Sequence, residues 1–428
     1  MLRLVVAMVL GRLAGRLSQM LGRGGSALPG LIAERVDPRL IEKLASQVRR
    51  GVVIVTGTNG KTTTTKMLVG ILEGEGLAVI TNPTGSNLAR GIATRLIQVA
   101  SWRGRVDADL AVFEVDEAAV RTLGPRLRPQ VMVVTNLARD QLDRFGELAT
   151  TASHAGEALR HAETAILNAD DPLVAELATM SPRARFFGAA EGIRRSMPHD
   201  SSLYASASET APSASADLVL ESAEADGDGQ VIQLSWVSGE TVVVRLKVPG
   251  PYNGYNAAAA VLASAEFGAS MQRAASALEG IRPAFGRGQI VEYRGRRIKL
   301  LLVKNPAGFN QAIRLLCCLA PGAPVLVAIN DLDADGRDVS WLWDARVEDL
   351  AGSGHRFAAG GIRAHDMGLR FKYAGVEAWS EPDFAAALDR FLDGVGEGET
   401  AYIVPTYTAM LRLLSMLRPD THRREAWT

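Results

Sequence analysis

Between residues 51 and 180 the apolar positions gather into five short blocks, at 52–55, 78–80, 110–113, 131–134 and 165–167. Stretches of helical spacing separate them. Blocks this short, alternating with helices, predict an α/β domain with a parallel, doubly wound sheet. In such sheets ligands bind beyond the carboxyl ends of the strands. The polar residues that follow each block are therefore the ones that can carry chemistry: 56–63, 81–87, 114–117, 135–144 and 168–172.

The pattern changes elsewhere. Residues 1–22 mix leucine, valine, alanine and methionine with Arg3, Arg12 and Arg16, which predicts a basic amphipathic helix that packs on the protein or touches a membrane surface. It is no 20-residue apolar span, and although a signal peptide is conceivable, Arg12 interrupts the apolar stretch after about eight residues with no small-residue cleavage site to follow. Residues 183–245 are rich in serine, alanine and aspartate around 201–228 and then alternate over 231–237 and 241–246, predicting an exposed insert followed by a hairpin. An alanine-rich helical stretch after 250–256 runs to the proline and glycines of 283–288, which places a domain boundary near 285. Apolar blocks then resume at 298–303, 325–329, 357–359 and 402–404, with polar turns at 304–311, 330–338, 361–366 and 405–407. The expected organisation is a helical segment (1–50), a first α/β domain (51–284) and a second (285–428).

The most specific chemistry lies at 52–65, where a β-branched run breaks into a glycine turn and then a helix. Gly57 and Gly60 let the backbone turn so that the amides through Thr58, Asn59 and Thr63 face an anion, and the helix adds the positive end of its dipole. Lys61 supplies a point charge, and Thr62 stands where such loops place the hydroxyl that ligates magnesium. Val55 occupies the position of the usual first glycine, so this is a variant phosphate loop. Glu114, leaving a buried strand at the same level, is the carboxylate expected on magnesium, because hard oxygen ligands suit that ion. Asp116 and Glu117 read as helix-start acids.

Charge and cysteine usage narrow the function. Among 428 residues, 47 basic and 47 acidic side chains cancel, so nothing in the balance favours nucleic acid as a partner. Cys317 and Cys318 are adjacent, which permits neither a disulfide framework nor a cysteine-held zinc and predicts a buried structural pair in a reducing compartment such as the cytoplasm.

Taken in order, Gly57 to Thr63, Glu114, Thr135 and Asn136 with Asp140 and Asp143, residues 168–172, Asn253 to Asn256, and Asn305 with Pro306 resemble the successive landmarks of the Mur ligases. Residues 113–117, 139–147, 304–309 and 334–341 are similar to the MurT branch, the synthetase subunits of lipid II isoglutaminyl synthases. The resemblance implies a central phosphate-loop domain with a mostly parallel sheet, a C-terminal α/β domain, and no amino-terminal nucleotide-sugar domain, since only about 50 residues precede the loop. It implies ATP and Mg2+ as cofactors. It also implies phosphorylation of the α-carboxylate of D-glutamate in the lipid II stem peptide, followed by attack of ammonia supplied by a GatD-like glutaminase. Within it, Lys61 and Glu114 serve phosphoryl transfer, Asn256 contacts adenine, and Asp338 completes a triad with the partner's cysteine and histidine. Location would be cytoplasmic, peripheral at the inner face of the membrane.

The sequence departs from these patterns in two places. Gln141 stands at the histidine position of the second magnesium site of amino-acid-adding Mur ligases, and no lysine lies between Lys66 and Lys247 to complete that site. The four zinc-binding cysteines common in the branch are absent from 183–230, so no zinc is expected. Two other readings remain: an amino-acid ligase akin to the folylpolyglutamate synthases, and a non-catalytic nucleotide-binding scaffold.

Overall fold

A computed structural model describes residues 2–20, 27–83, 85–138, 148–195, 214–282, 287–396 and 398–417. They divide into two compact units, the first holding 2–137 and 148–281 and the second built on residues from Arg282 onward. Gln141, Asp140 and Asp143, His199, and the breaker residues 283–286 lie outside the described residues.

Among the described residues the first unit has nine strands: β1 (Val52–Thr56), β2 (Val79–Thr81), β3 (Leu110–Glu114), β4 (Val131–Val134), β5 (Thr164–Asn168), β6 (Ala184–Ala189), β7 (Leu218–Asp226), β8 (Gly229–Trp236) and β9 (Thr241–Leu246). Their order across the sheet is β2-β3-β1-β4-β5-β6-β7-β8-β9. Pairings from β2 to β7 are parallel, and β8 and β9 close the sheet antiparallel. Successive residues of a strand point to opposite faces. Accordingly Val52 and Ile54 enter one core together with Phe113 and Met132, while Val53 and Val55 enter the other with Val112 and Val133. Both faces are covered, which is why these central strands read as continuous apolar blocks.

The exposed insert expected at 183–245 is not what forms over the described part of that stretch. Residues 184–189 add a parallel strand, 218–226 another, and the hairpin continues the same sheet. Phe187, Leu218, Leu220, Ile232 and Leu234 are buried in the core that also holds Val53 and Val55. The strands were hidden because their outer positions carry charge. Arg185, for example, pairs with Glu266 at 2.9 Å.

At the chain start, the helix Leu2–Met20 buries Leu4, Ala7 and Met8 in the first core. Gly11 lies where a Cβ would meet the Pro29 carbonyl at 3.0 Å, so the helix Leu28–Val36 approaches closely.

The second unit has β10 (Arg287–Tyr293), β11 (Arg296–Leu301), β12 (Pro324–Ala328), β13 (Arg356–Gly360), β14 (Ala378–Glu381) and β15 (Thr400–Pro405), in the order β10-β11-β15-β12-β13-β14. All pairs but β10–β11 are parallel. Cys317 and Cys318 are exposed rather than buried. The helix Pro306–Cys317 buries Phe309, Ile313 and Leu316, a stripe at helical spacing, and both cysteines fall at its end, off that stripe. The Cys317 thiol donates to the Asp349 carbonyl at 3.4 Å, and partial desolvation at that contact, then the charge of Asp349, raises its pKa above the ordinary value.

Because Phe187 is buried in the main core, Phe187→Ala should lower unfolding free energy by about 3–4 kcal/mol, read as a shift of the urea midpoint. An unchanged midpoint would mean that 184–246 hangs outside the cooperative fold.

Candidate functional site

Strands β1 and β4 are neighbours whose onward connections run to opposite sides of the sheet, one toward β2 and the other toward β5. A crevice opens beyond their carboxyl ends at such a divergence. Both following loops meet there. The Thr58 amide donates to the Asn136 carbonyl at 2.8 Å and the Asn59 amide to Asn136 Oδ1 at 3.0 Å. Thr135 Oγ1 and Asn136 Nδ2 donate to the Asn59 carbonyl at 2.7 and 2.9 Å. Gly57 and Gly60 hold φ of 119° and 88°, and a Cβ would stand 2.4 Å from Thr135 Oγ1 on the first and 2.2 Å from Asn256 Oδ1 on the second. Only glycine fits either position.

The helix Lys61–Gly74 begins directly on this turn. The leading amides of a helix find no partner within it, and those of Thr62 and Thr63 take no other acceptor among the described residues. With the amides of Thr58 and Asn59 committed to Asn136, the helix start is the part of the loop best arranged for an anion.

Glu114 ends β3, beside β1, with Val55 as its register partner. Asn82 clamps its backbone, accepting from the Glu114 amide at 2.9 Å and donating to its carbonyl at 2.9 Å. Most of Glu114 is buried, and its carboxylate takes no hydrogen bond or ion pair among the described residues while its oxygens keep contact with solvent. A carboxylate at a strand end with no protein partner leaves its oxygens open to a cation. Together with the Thr62 hydroxyl it offers two hard oxygen ligands, which suits magnesium shared with phosphate oxygens. Groups of three or more histidine, cysteine or acidic side chains able to hold a metal do not occur among the described residues.

Lys61 does not stand free. Its ammonium donates to the Gly57 and Thr58 carbonyls at 2.5 and 3.0 Å and pairs with the Glu117 carboxylate at 3.0 Å. The two side chains are 12% and 4% exposed, so this is a largely buried ion pair rather than a charge on an exposed loop. Glu117 is thus a partner of the loop lysine that sequence reasoning missed. Its partner lies 56 positions away, and position three after Glu114 was the only clue.

Asn256 is brought to the loop by the helix Pro251–Ala265, where it lies within the first turns instead of capping them. It accepts from Thr64 Oγ1 at 3.3 Å and donates to Asn253 Oδ1 at 3.1 Å. The base of the crevice is braced by Asn168, which donates to the Thr135 carbonyl at 3.0 Å, and by Asp171, which accepts from the Leu137 amide at 2.8 Å.

Asp338 belongs to the second unit. One of its oxygens accepts from the Ser340 amide at 2.8 Å. Nearby, Asp333 pairs with Arg337 at 2.8 Å, Asp331 lies 3.8 Å from Arg363, and Asp335 is buried against Thr408. Asp338 alone of the four has neither burial nor a cationic partner among the described residues. Asn305 caps the helix Pro306–Cys317, accepting from the Gly308 amide at 2.8 Å.

Residues 55–264 match the Mur ligase middle domain and residues 302–410 the MurT ligase C-terminal domain. A Streptococcus pneumoniae protein named lipid II isoglutaminyl synthase (glutamine-hydrolyzing) subunit MurT is 32% identical over 95% of this chain and 96% of its own length. The chain belongs to the MurT family of Mur ligases. A Staphylococcus aureus MurT subunit is 30% identical over 96% of this chain and 97% of its own. Among solved structures, MurF ligase from Thermotoga maritima in complex with ADP superposes with a TM-score of 0.69 at 17% identity, over 92% of this chain and 85% of that one. MurF from Acinetobacter baumannii gives 0.68 at 20% identity, over 92% and 80%. As a MurT-family member the chain is a ligase, and its Mur-type fold matches the α/β architecture expected from the apolar blocks.

Removing Lys61 leaves a buried carboxylate alone. Lys61→Ala should therefore cost about 2–3 kcal/mol of stability, and adding Glu117→Gln should restore most of it. Denaturant unfolding of the single and double variants measures this, and a single variant as stable as the parent would show that the pair is not formed in solution.

Proposed function

We propose that this MurT-family ligase amidates the α-carboxylate of D-glutamate in the lipid II stem peptide, using ATP and ammonia from a GatD-like glutaminase subunit, at the cytoplasmic side. The observation that carries the reading is the phosphate loop after β1, with Lys61 at its helix start and an unpartnered Glu114 carboxylate on the adjacent strand end, in a chain similar to MurT subunits over nearly its whole length.

The γ-phosphoryl group of ATP passes to a carboxylate oxygen, giving an acyl phosphate and ADP. Ammonia then attacks the acyl carbon, inorganic phosphate leaves with the carbon–oxygen electron pair, and the nitrogen gives up a proton to yield the amide. Loss of phosphate makes the second step downhill where direct displacement of a carboxylate oxygen is not. Phosphoryl transfer is served mainly by positioning and by offsetting charge. The amides of Gly60, Lys61, Thr62 and Thr63 hold the phosphates, and Lys61 leaves Glu117 to meet the β- and γ-oxygens. Magnesium on Thr62 and Glu114 would neutralise the charge that develops between those phosphates. Gly57, Thr58 and Asn59 keep the loop in shape, and Asn256 supports the nucleotide end of the crevice from behind Gly60.

Asp338, presented from a loop after β12, would orient the histidine of the glutaminase by accepting its ring N–H. Desolvation and then the Asp349 charge raise the pKa of Cys317, which disfavours its thiolate.

Lys61→Ala and Glu114→Gln should each lower ATP-dependent amidation by roughly 100-fold or more. Near-normal turnover of either variant would remove the residue from the site. Asp338→Asn should leave ammonium-fed amidation intact while sharply reducing the glutamine-fed reaction. Equal loss of both would put Asp338 in the synthetase site and end its proposed role in the partner's triad. Elemental analysis should find no stoichiometric zinc, and one zinc per chain would contradict the cysteine-poor ligand set.

A further inference from the structure

The helix Leu2–Met20 is apolar on two sides. Leu4, Ala7, Met8 and Gly11 face the protein, and Gly11 sits against Pro29, Ala33 and Ile97. Leu2, Val6, Leu10, Leu13 and Leu17 face solvent, with exposures of 79, 42, 40, 53 and 60%. At roughly 100° per residue these five fall within about 80° of arc, an unbroken stripe along the outer side of the helix. Five exposed aliphatic side chains in one line are more than the scattered leucines of an ordinary surface.

The charge around the stripe has one sign. Arg3 borders one edge and Arg16 and Arg12 the other, and no acidic residue precedes Glu34 in the chain. Arg12 is anchored, donating to the Ile97 carbonyl at 2.8 Å, and its guanidinium lies 4.4 Å from the centroid of the Trp102 ring. That of Arg16 lies 5.9 Å from the same ring. Arg12, Arg16, Gln98 and Trp102 line a recess of about 410 Å³ beside the stripe. The residues that line the recess include two arginines and no carboxylate, and burial and then the neighbouring Arg16 charge hold the pKa of Arg12 below its usual range. Trp102 is itself 55% exposed. None of the described helices is long and apolar enough to cross a membrane.

We propose that this stripe and its arginine rim are a docking surface for an anionic phospholipid bilayer, with the helix lying in the interface and a lipid phosphate seated in the recess between Arg12, Arg16 and Trp102. An interfacial helix needs an apolar face to enter the acyl boundary, basic side chains at the level of the headgroups, and an aromatic ring at the rim. All three occur here, and the cationic rim favours an anionic surface over a neutral one. The inference rests on the reading of the acceptor as lipid-linked only for its purpose. The buried half of the helix keeps the docking face fixed to the ATP-binding unit, so binding would hold the enzyme on the surface that carries its substrate.

The full chain and the double variant Leu13→Glu/Leu17→Glu would be sedimented with vesicles of phosphatidylglycerol, or of phosphatidylcholine alone. The parent should bind the anionic vesicles at least roughly tenfold more tightly than the neutral ones, and less so as salt rises. The double variant, with unchanged thermal unfolding because both side chains already face water, should lose most of that binding. Arg16→Glu should lose the preference for anionic lipid. With a water-soluble acceptor peptide the double variant should turn over as the parent does, while with acceptor in vesicles it should fall behind. No vesicle binding by the parent, or equal binding by parent and double variant, would overturn the proposal. So would a dimer of the parent that the double variant disperses without any vesicle binding, since the stripe would then be covered by a second copy. Vesicle binding without amidation of either acceptor would support the docking surface and instead sink the proposed reaction.

Discussion

The crevice of the first unit depends on one crowded turn. Where β1 runs out, the chain must reverse within a few residues while Thr135 Oγ1 and Asn256 Oδ1 occupy the space in which side chains at positions 57 and 60 would lie. The two positive-φ glycines satisfy that demand, and the strand order makes it unavoidable. Packing β1 between β3 and β4 brings the β4 loop against the turn and the Glu114 end of β3 alongside it. The amides of Thr58 and Asn59 are consumed in holding this shape, which leaves the start of the next helix to face an anion. The loop is therefore held in shape by its neighbours.

How much of this could be read from the sequence follows from where the information lies. The central strands were legible because both of their faces are buried, so every position is apolar and the blocks stand out. Glycine, lysine and threonine in the loop were legible because their roles are local. The strands at 184–189 and 218–226 were not, since each shows charge or glycine to its neighbours: Arg185 and Gly188 in one, Glu221, Glu224 and Asp226 in the other. Burial on one face only, completed by partners far along the chain, leaves a weak alternation that resembles an insert. The cysteines misled for the opposite reason. An apolar run suggested burial, but the stripe Phe309, Ile313 and Leu316 already fills the buried side of that helix.

Long-range polar partners were the hardest to see. Asn82 clamping Glu114, and Glu117 reaching Lys61, join residues 32 and 56 positions apart, and neither pairing has a spacing rule. What the sequence could show was that strand ends carry polar residues; which of them meet is decided by strand order. The second unit follows the same logic: in its acidic loop after β12, Asp331 and Asp333 face arginines and Asp335 is buried against Thr408, leaving Asp338 without a cation among the described residues.

The Lys61–Glu117 pair also bears on selectivity. A bare ammonium at a helix start would hold almost any anion that drifted past, inorganic phosphate included. Here an entrant must outcompete a carboxylate already fixed at 3.0 Å in a largely buried setting, and a single weak charge gains little by the exchange. A polyphosphate that engages several amides at once can meet that threshold, because its other contacts offset the lost pair. On the proposed reading, Glu117 would act as a standing competitor that sets how many contacts a guest must make before the lysine changes hands.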